Sequence, residues 1–203
     1  MIMSLTMSKG SLQMAKKGVI VKHLSAIPNF GSMEVLCTDK TGTLTEDKIK
    51  LIRCVDVSGN HSDRVFELAY LNSSFQTGIK NPLDDAILMF QKLDISSWHK
   101  TDEIPFDFYR KRMSVVAEQN KEVTLICKGA PEEILKVCVQ DKDFIAAAVK
   151  QYESLSADGF RVLAIAVKNV TGQQQFSKHD EALLSFEGFV AFLDPPKEDA
   201  GEV

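Results

Sequence analysis

Asp39 is followed within six residues by one lysine, one glycine and three threonines, in the string DKTGTLT at the end of the apolar run VLC. A turn between two strands needs only a glycine or an asparagine, so the stretch carries more chemistry than a turn requires. A carboxylate there can act as a nucleophile that accepts a phosphoryl group, with Lys40 and a divalent cation offsetting charge as it develops. Gly42 lets successive backbone N–H groups converge on phosphate oxygens, and the threonine hydroxyls add neutral donors. Mg²⁺ prefers oxygen ligands and binds through one or two carboxylates plus substrate phosphate. That makes Asp39 its candidate protein ligand. The plain alternative is an Asx turn with capping threonines, which would serve equally well if D-x-T-G stood alone. At roughly one in twenty per position, the seven-residue string arises by chance in a chain of this length with a frequency on the order of 10⁻⁷.

A nucleophile needs a rigid mount, and the flanking residues predict one. KKGVIVKHL and SMEVLCTD, separated by SAIPNFG, read as two strands. The second hardly alternates, so it reads as buried on both faces in a parallel α/β sheet with Asp39 at its carboxyl tip, where such sheets bind ligands. From Lys48 the pattern changes. KIKLIRCVDV alternates as a longer strand; SDRVFELAYLNSSF has helical spacing behind a capping serine; NPLDDAILMFQKL is a helix opened by Pro82. TDEIPFDF, RMSVVAEQ and EVTLICK read as antiparallel strands, the last two joined by a hairpin turn in EQNKE. Helices at APEEILKVC and KDFIAAAVKQYESL precede the closing strands RVLAIAVKNV and SFEGFVAFLD, which flank the polar loop or short helix QQQFSKHDEAL.

The totals suit a folded domain: 203 residues, 44% hydrophobic, 26% charged. A net charge of −4 with dispersed Lys and Arg offers no basic stripe, which argues against nucleic acid as a partner. The four cysteines lie far apart among apolar neighbours, as reduced core cysteines do, and the four histidines have no metal-ligand spacing. MIMSLTM is apolar but far shorter than the roughly 20 residues of a membrane span, and it lacks the marks of a signal peptide.

DKTGTLT resembles the phosphorylation signature of the P-type ATPases, ion pumps that form an aspartyl-phosphate. IPFDFYRKRMSVV, KGAPE, GFRVLAIA and LDPPKE are similar to that family's nucleotide-binding motifs and the return to its phosphorylation domain, in the family's order. The string VIVKHLSAIPNFGSMEVLCTDKTGTLTEDKIKL together with FVAFLDPPKE most resembles the bacterial magnesium-transporting members.

The resemblance implies an α/β chain: part of a haloacid-dehalogenase-like phosphorylation domain with an inserted α+β nucleotide-binding domain built on an antiparallel sheet. The implied divisions are 1–17, the cytoplasmic end of a transmembrane helix or linker; 18–47, the start of the phosphorylation domain; 48–191, the nucleotide-binding domain; and 192–203, the return. It implies ATP and Mg²⁺ as cofactors and Asp39, Lys40 and Thr41 as catalytic residues, with Asp39 and Thr41 also at the metal. Phe106 would stack on adenine, Lys111 and Lys128 would line the pocket beside Gly129, and Arg161 would reach the phosphates. Asp84 stands where many relatives have a glutamate bonded to the adenine amino group.

From spacing alone each has a plainer reading. Phe106 could be a core residue, Lys111 part of a solvated YRKR cluster, Lys128 a surface lysine, Arg161 the partner of an acid, and Asp84 a helix N-terminal acid. Gly129 reads as a site of close ligand approach. The parent would lie in the bacterial plasma membrane with this part cytoplasmic and soluble by itself, working with a transported cation, Mg²⁺ by likeness, and with an actuator domain. The family's TGDGxxND segment is not in this sequence, so the chain reads as a piece that holds ATP without turning it over alone. A soluble haloacid-dehalogenase-like phosphatase or phosphotransferase is the alternative, but Thr41 stands where those enzymes commonly carry a second aspartate. A non-catalytic regulator of a full-length pump is a third reading, which no sequence feature supports.

Overall fold

The computed structural model describes residues 2–35, 37–38, 45, 48–78, 81–195 and 197. These form two compact units, residues 1–40 and 41–203. In the first, helix α1 (Ile2–Lys16) is followed by a 3₁₀ turn (Leu24–Ala26) and the single-turn helix α2 (Ile27–Phe30). Gly18, at φ 83°, stops α1: its N–H donates to Ala15 O (3.1 Å) and that of Val19 to Met14 O (3.0 Å), the paired bonds of a Schellman cap. No helix among the described residues is long and apolar enough to cross a membrane.

The two strands expected in this unit do not form among the described residues. The first apolar run begins inside the α1 cap, and Ile20 and Val35 are mainly exposed. Neither run is paired as a strand among the described residues, and an isolated strand without a ladder or a face to bury is unstable in water. Cys37 is likewise exposed rather than a core cysteine.

The second unit is built on six antiparallel strands: β1 (Lys50–Val55), β2 (His99–Asp107), β3 (Arg112–Gln119), β4 (Glu122–Gly129), β5 (Arg161–Asn169) and β6 (Ser185–Leu193), in spatial order β1-β6-β5-β4-β3-β2. The β3–β4 hairpin closes at Gln119 and Glu122 through Asn120 and Lys121, both at positive φ, as a two-residue primed turn requires. One face is covered by α3 (Asp63–Phe75) and α4 (Pro82–Phe90), the other by α5 (Pro131–Leu135) and α6 (Lys142–Ala157). Ser62, Asn81 and Asp141 cap α3, α4 and α6, accepting from Val65 N, Leu83 N and Phe144 N.

Helix periodicity sets Val65, Leu68, Ala69 and Leu71 of α3 against Ile126, Ile165 and Val190 of the sheet. Ile134, Ala148 and Leu155 cover the other side against Leu125, Cys127 and Phe189. β4 is therefore buried on both faces, which accounts for its unbroken LIC run. Burial pushes the thiols of Cys54, Cys127 and Cys138 up to about 12, so they pack as small apolar groups.

Gly188 in β6 permits the tightest of these contacts. A Cβ there would stand 2.1 Å from Val55 O and 2.6 Å from Val65 Cγ2. Neither atom is the end of a flexible side chain. Gly188→Ala is expected to cost about 3 kcal/mol, read as a lower urea midpoint; an unchanged midpoint would show that β1 and α3 can yield there.

Candidate functional site

The end of β2 and the β2–β3 turn carry two of the predicted residues. Asp107 organises it: Oδ1 accepts from Tyr109 N (2.8 Å) and Arg110 N (2.9 Å), and its carbonyl accepts from Lys111 N (2.7 Å). The Arg110 amide holds the Asp107 carboxyl below its usual range. Lys111 is left-handed at φ 47°, exposed, and its carbonyl accepts from Ala130 N (2.9 Å). Phe106 is 50% exposed, with the edge of one ring against the face of the other where it meets Phe108, at 5.3 Å and 87°. It is not a core phenylalanine.

Phe106 and Lys111 form one wall of a cleft of about 460 Å³, within the size range of small-molecule sites. Asn81 and Leu83 at the start of α4, Ala130, Pro131 and Glu132 at the start of α5, Tyr152 of α6, and Phe160 and Arg161 at the α6–β5 junction also line it. Arg161 Nη2 lies 3.5 Å from Asp194 Oδ2 and is about half exposed. The acid pairing that spacing allowed therefore exists, and Arg161 is also among the residues that line the cleft. Aromatic side chains, the cations Lys111 and Arg161 and the acid Glu132 line the same hollow, which suits a ligand that joins a flat ring to charged groups.

Lys128 and Asp84 do not line this cleft; they are bonded to each other behind it. Lys128 Nζ also donates to Ser73 Oγ (2.8 Å), and Asp84 accepts from Ser73 Oγ (2.8 Å) and Gln76 Nε2 (2.5 Å). Both residues are buried, so Lys128 is not a surface lysine. Burial lowers its pKa, and Asp84 works in the opposite direction. Gly129 is required by the chain itself, because a Cβ would meet Lys111 O and Arg112 Cβ at 2.5 Å. Asp39, Lys40 and Thr41 lie outside the described residues. Among the described residues, no group of three or more His, Cys, Asp or Glu side chains could hold a metal ion.

Sequence reasoning overlooked Glu181. It follows a 3₁₀ turn (Lys178–Asp180) in the polar stretch before β6, yet its side chain is fully buried among Arg110, Arg112 and Ser114. The only hint was two arginines on either side of Lys111, which a surface reading of YRKR absorbs.

Residues 79–199 match the model of the family described as P-type ATPase, cytoplasmic domain N, and the chain belongs to that family. It is 47% identical, over 215 aligned residues, to the magnesium-transporting ATPase, P-type 1, of Escherichia coli K12, an alignment that covers 98% of this chain and 24% of that protein. It is 45% identical to the protein of the same name from Salmonella typhimurium LT2, again over 98% and 24% of the two chains. Against plasma membrane ATPase 1 of Saccharomyces cerevisiae the identity is 32%, covering 99% of this chain and 22% of that one. The chain spans about a quarter of the length of these curated relatives.

Proposed function

We propose that this chain is the ATP-holding and phosphoryl-accepting part of a membrane-bound cation transporter of the magnesium-transporting kind, facing the cytoplasm. The observation that carries the reading is the convergence of Phe106, Lys111 and Arg161 from separate elements on one cleft. Adenine stacks on the exposed face of Phe106; Lys111 draws the nucleotide's negative charge, and Arg161 is reached by its phosphates. Lys128 and Asp84 support the floor behind α4 and β4 rather than meeting solvent.

Residues 48–191 form the nucleotide-binding domain in this reading. Residues 18–47 and 192–203 belong to a haloacid-dehalogenase-like phosphorylation domain, and 1–17 lead from a transmembrane helix. A carboxylate at Asp39 and oxygen donors at Thr41 are of the type Mg²⁺ takes, and the ion would supply charge neutralisation at the γ-phosphate. Asp39 is the acceptor of that phosphoryl group and Lys40 its electrostatic support. In the whole transporter an actuator domain and the transported cation, Mg²⁺ by likeness, would be the further partners.

Titrating the chain with Mg-ATP, followed by amide NMR, tests the cleft. Phe106→Ala is expected to cost ~1–3 kcal/mol of stacking, roughly a 5- to 150-fold rise in Kd. Lys111→Ala should cost about 1 kcal/mol, less at high salt because the side chain is exposed. Equal affinity in both variants and the wild type would remove the nucleotide from this cleft.

A further inference from the structure

Glu181 occupies a place that a merely solvated loop acid could not. Its side chain has no exposure, and an ionised carboxylate taken out of water persists only when paired and fully hydrogen-bonded. Three donors meet it: Arg110 Nη1, Arg112 Nε at 3.1 Å and Ser114 Oγ at 2.8 Å. Each arginine then continues toward a wall of the cleft. Arg110 Nη2 donates to Pro105 O (3.0 Å), the peptide that leads into Phe106. Arg112 Nη1 reaches Glu133 O (3.4 Å), next to the cleft residues Pro131 and Glu132. Between the two arginines lies Lys111, held left-handed with its carbonyl on Ala130 N.

We infer that Glu181 is the positioning residue of the nucleotide cleft: it touches no nucleotide, but through Arg110 and Arg112 it fixes the β2–β3 turn so that Phe106 and Lys111 are presented to the ligand. The inference rests on the nucleotide reading of the cleft given above. Its physical basis is entropy. An exposed phenylalanine and a lysine on a free hairpin turn would lose conformational freedom on each binding event, and a buried carboxylate with two guanidinium arms removes that freedom in advance. Glu181 comes from the β5–β6 connection, far along the chain from the turn it holds, so the contact also ties two segments that the sheet ladder does not join.

Glu181→Gln in the full chain keeps the shape and removes the charge. Its Kd for Mg-ATP should rise about tenfold, and amide signals of residues 106–112 should move while those of β1, at the far edge of the sheet, do not. A readout that simple loss of stability would not give is the cycle with Phe106→Ala: in that background Glu181→Gln should add no more than about threefold. A folded Glu181→Gln that binds Mg-ATP like the wild type overturns the inference, as does a tenfold loss that persists unchanged in the Phe106→Ala background. If Glu181→Gln does not fold, Arg110→Lys takes its place, since one ammonium on a shorter reach cannot bridge Glu181 and Pro105 O in the guanidinium's geometry; wild-type affinity there overturns the inference as well. A wild-type chain with no saturable Mg-ATP response would instead defeat the nucleotide reading, and this role with it.

Discussion

Asp84→Ala should lower the stability of the sheet unit by about 3–5 kcal/mol, the cost of leaving a buried charge without its partner. Lys128 is 4% exposed, and in the variant its ammonium would keep Ser73 Oγ but lose the carboxylate. Removing both charges together is a different matter. Asp84→Leu with Lys128→Met should recover most of the loss, because a well-packed apolar pair avoids the desolvation that the ion pair must overcome.

The pH dependence follows from the direction of the lysine shift. Burial holds the folded pKa of Lys128 below its ordinary 10.5, and Asp84 opposes that depression. Without Asp84 the folded value falls further. Between that depressed value and 10.5 the unfolded chain binds the proton and the folded chain does not, so stability rises with pH through that window. The Asp84→Ala deficit should therefore be greatest below the variant's folded value and shrink as pH rises to the wild type's, above which both chains gain in parallel. Urea melts of wild type and variant at neutral and alkaline pH decide it; a deficit that is absent, or that stays constant with pH, would mean Lys128 is not held as an ammonium in the folded chain.

Asp39→Asn should abolish covalent phosphorylation. An amide oxygen is too weak a nucleophile toward phosphorus and carries no charge for Mg²⁺, so both parts of the proposed role end with one atom exchanged. The test grafts this chain into the matching quarter of a magnesium-transporting relative and supplies γ-labelled ATP. Acid-stable, hydroxylamine-sensitive label should form with Asp39 and fall to background with Asn. Label at the wild-type level in Asp39→Asn would place the acceptor elsewhere. Phe106→Ala in the same graft should leave the acceptor intact and shift the ATP concentration needed, which separates loss of binding from loss of chemistry.

Periodic and local signals carried most of the sheet unit. The apolar run in RMSVVAEQ and the EQNKE turn define β3 as Arg112–Gln119, the span found, and Ser62 caps α3 where a capping serine was expected. Helix ends were less faithful. The NPLDDAILMFQKL pattern runs past Phe90, where α4 stops, because apolar spacing does not reveal where neighbouring elements end a helix.

The cleft was divided in the same way. Phe106, Lys111 and Arg161, singled out by motif likeness, line one cleft. The partners that hold them could not be read, since Glu181 lies 71 residues from Arg110 and nothing in HDEAL marks a buried acid. Gly129 was assigned to ligand approach, but its close neighbour is the opposite strand at Arg112. A missing side chain in a sequence does not say which body fills the space. The N-terminal runs failed for the complementary reason: Val, Ile and Leu favour strands only where other strands are present to pair with them.

The pairing of β1 with β6 sets how the sheet unit bears force. Lys50 opens β1 directly opposite Leu193, which closes β6. Tension drawing those two ends apart acts across the ladder rather than along it, so its hydrogen bonds part in succession, like the teeth of a zip.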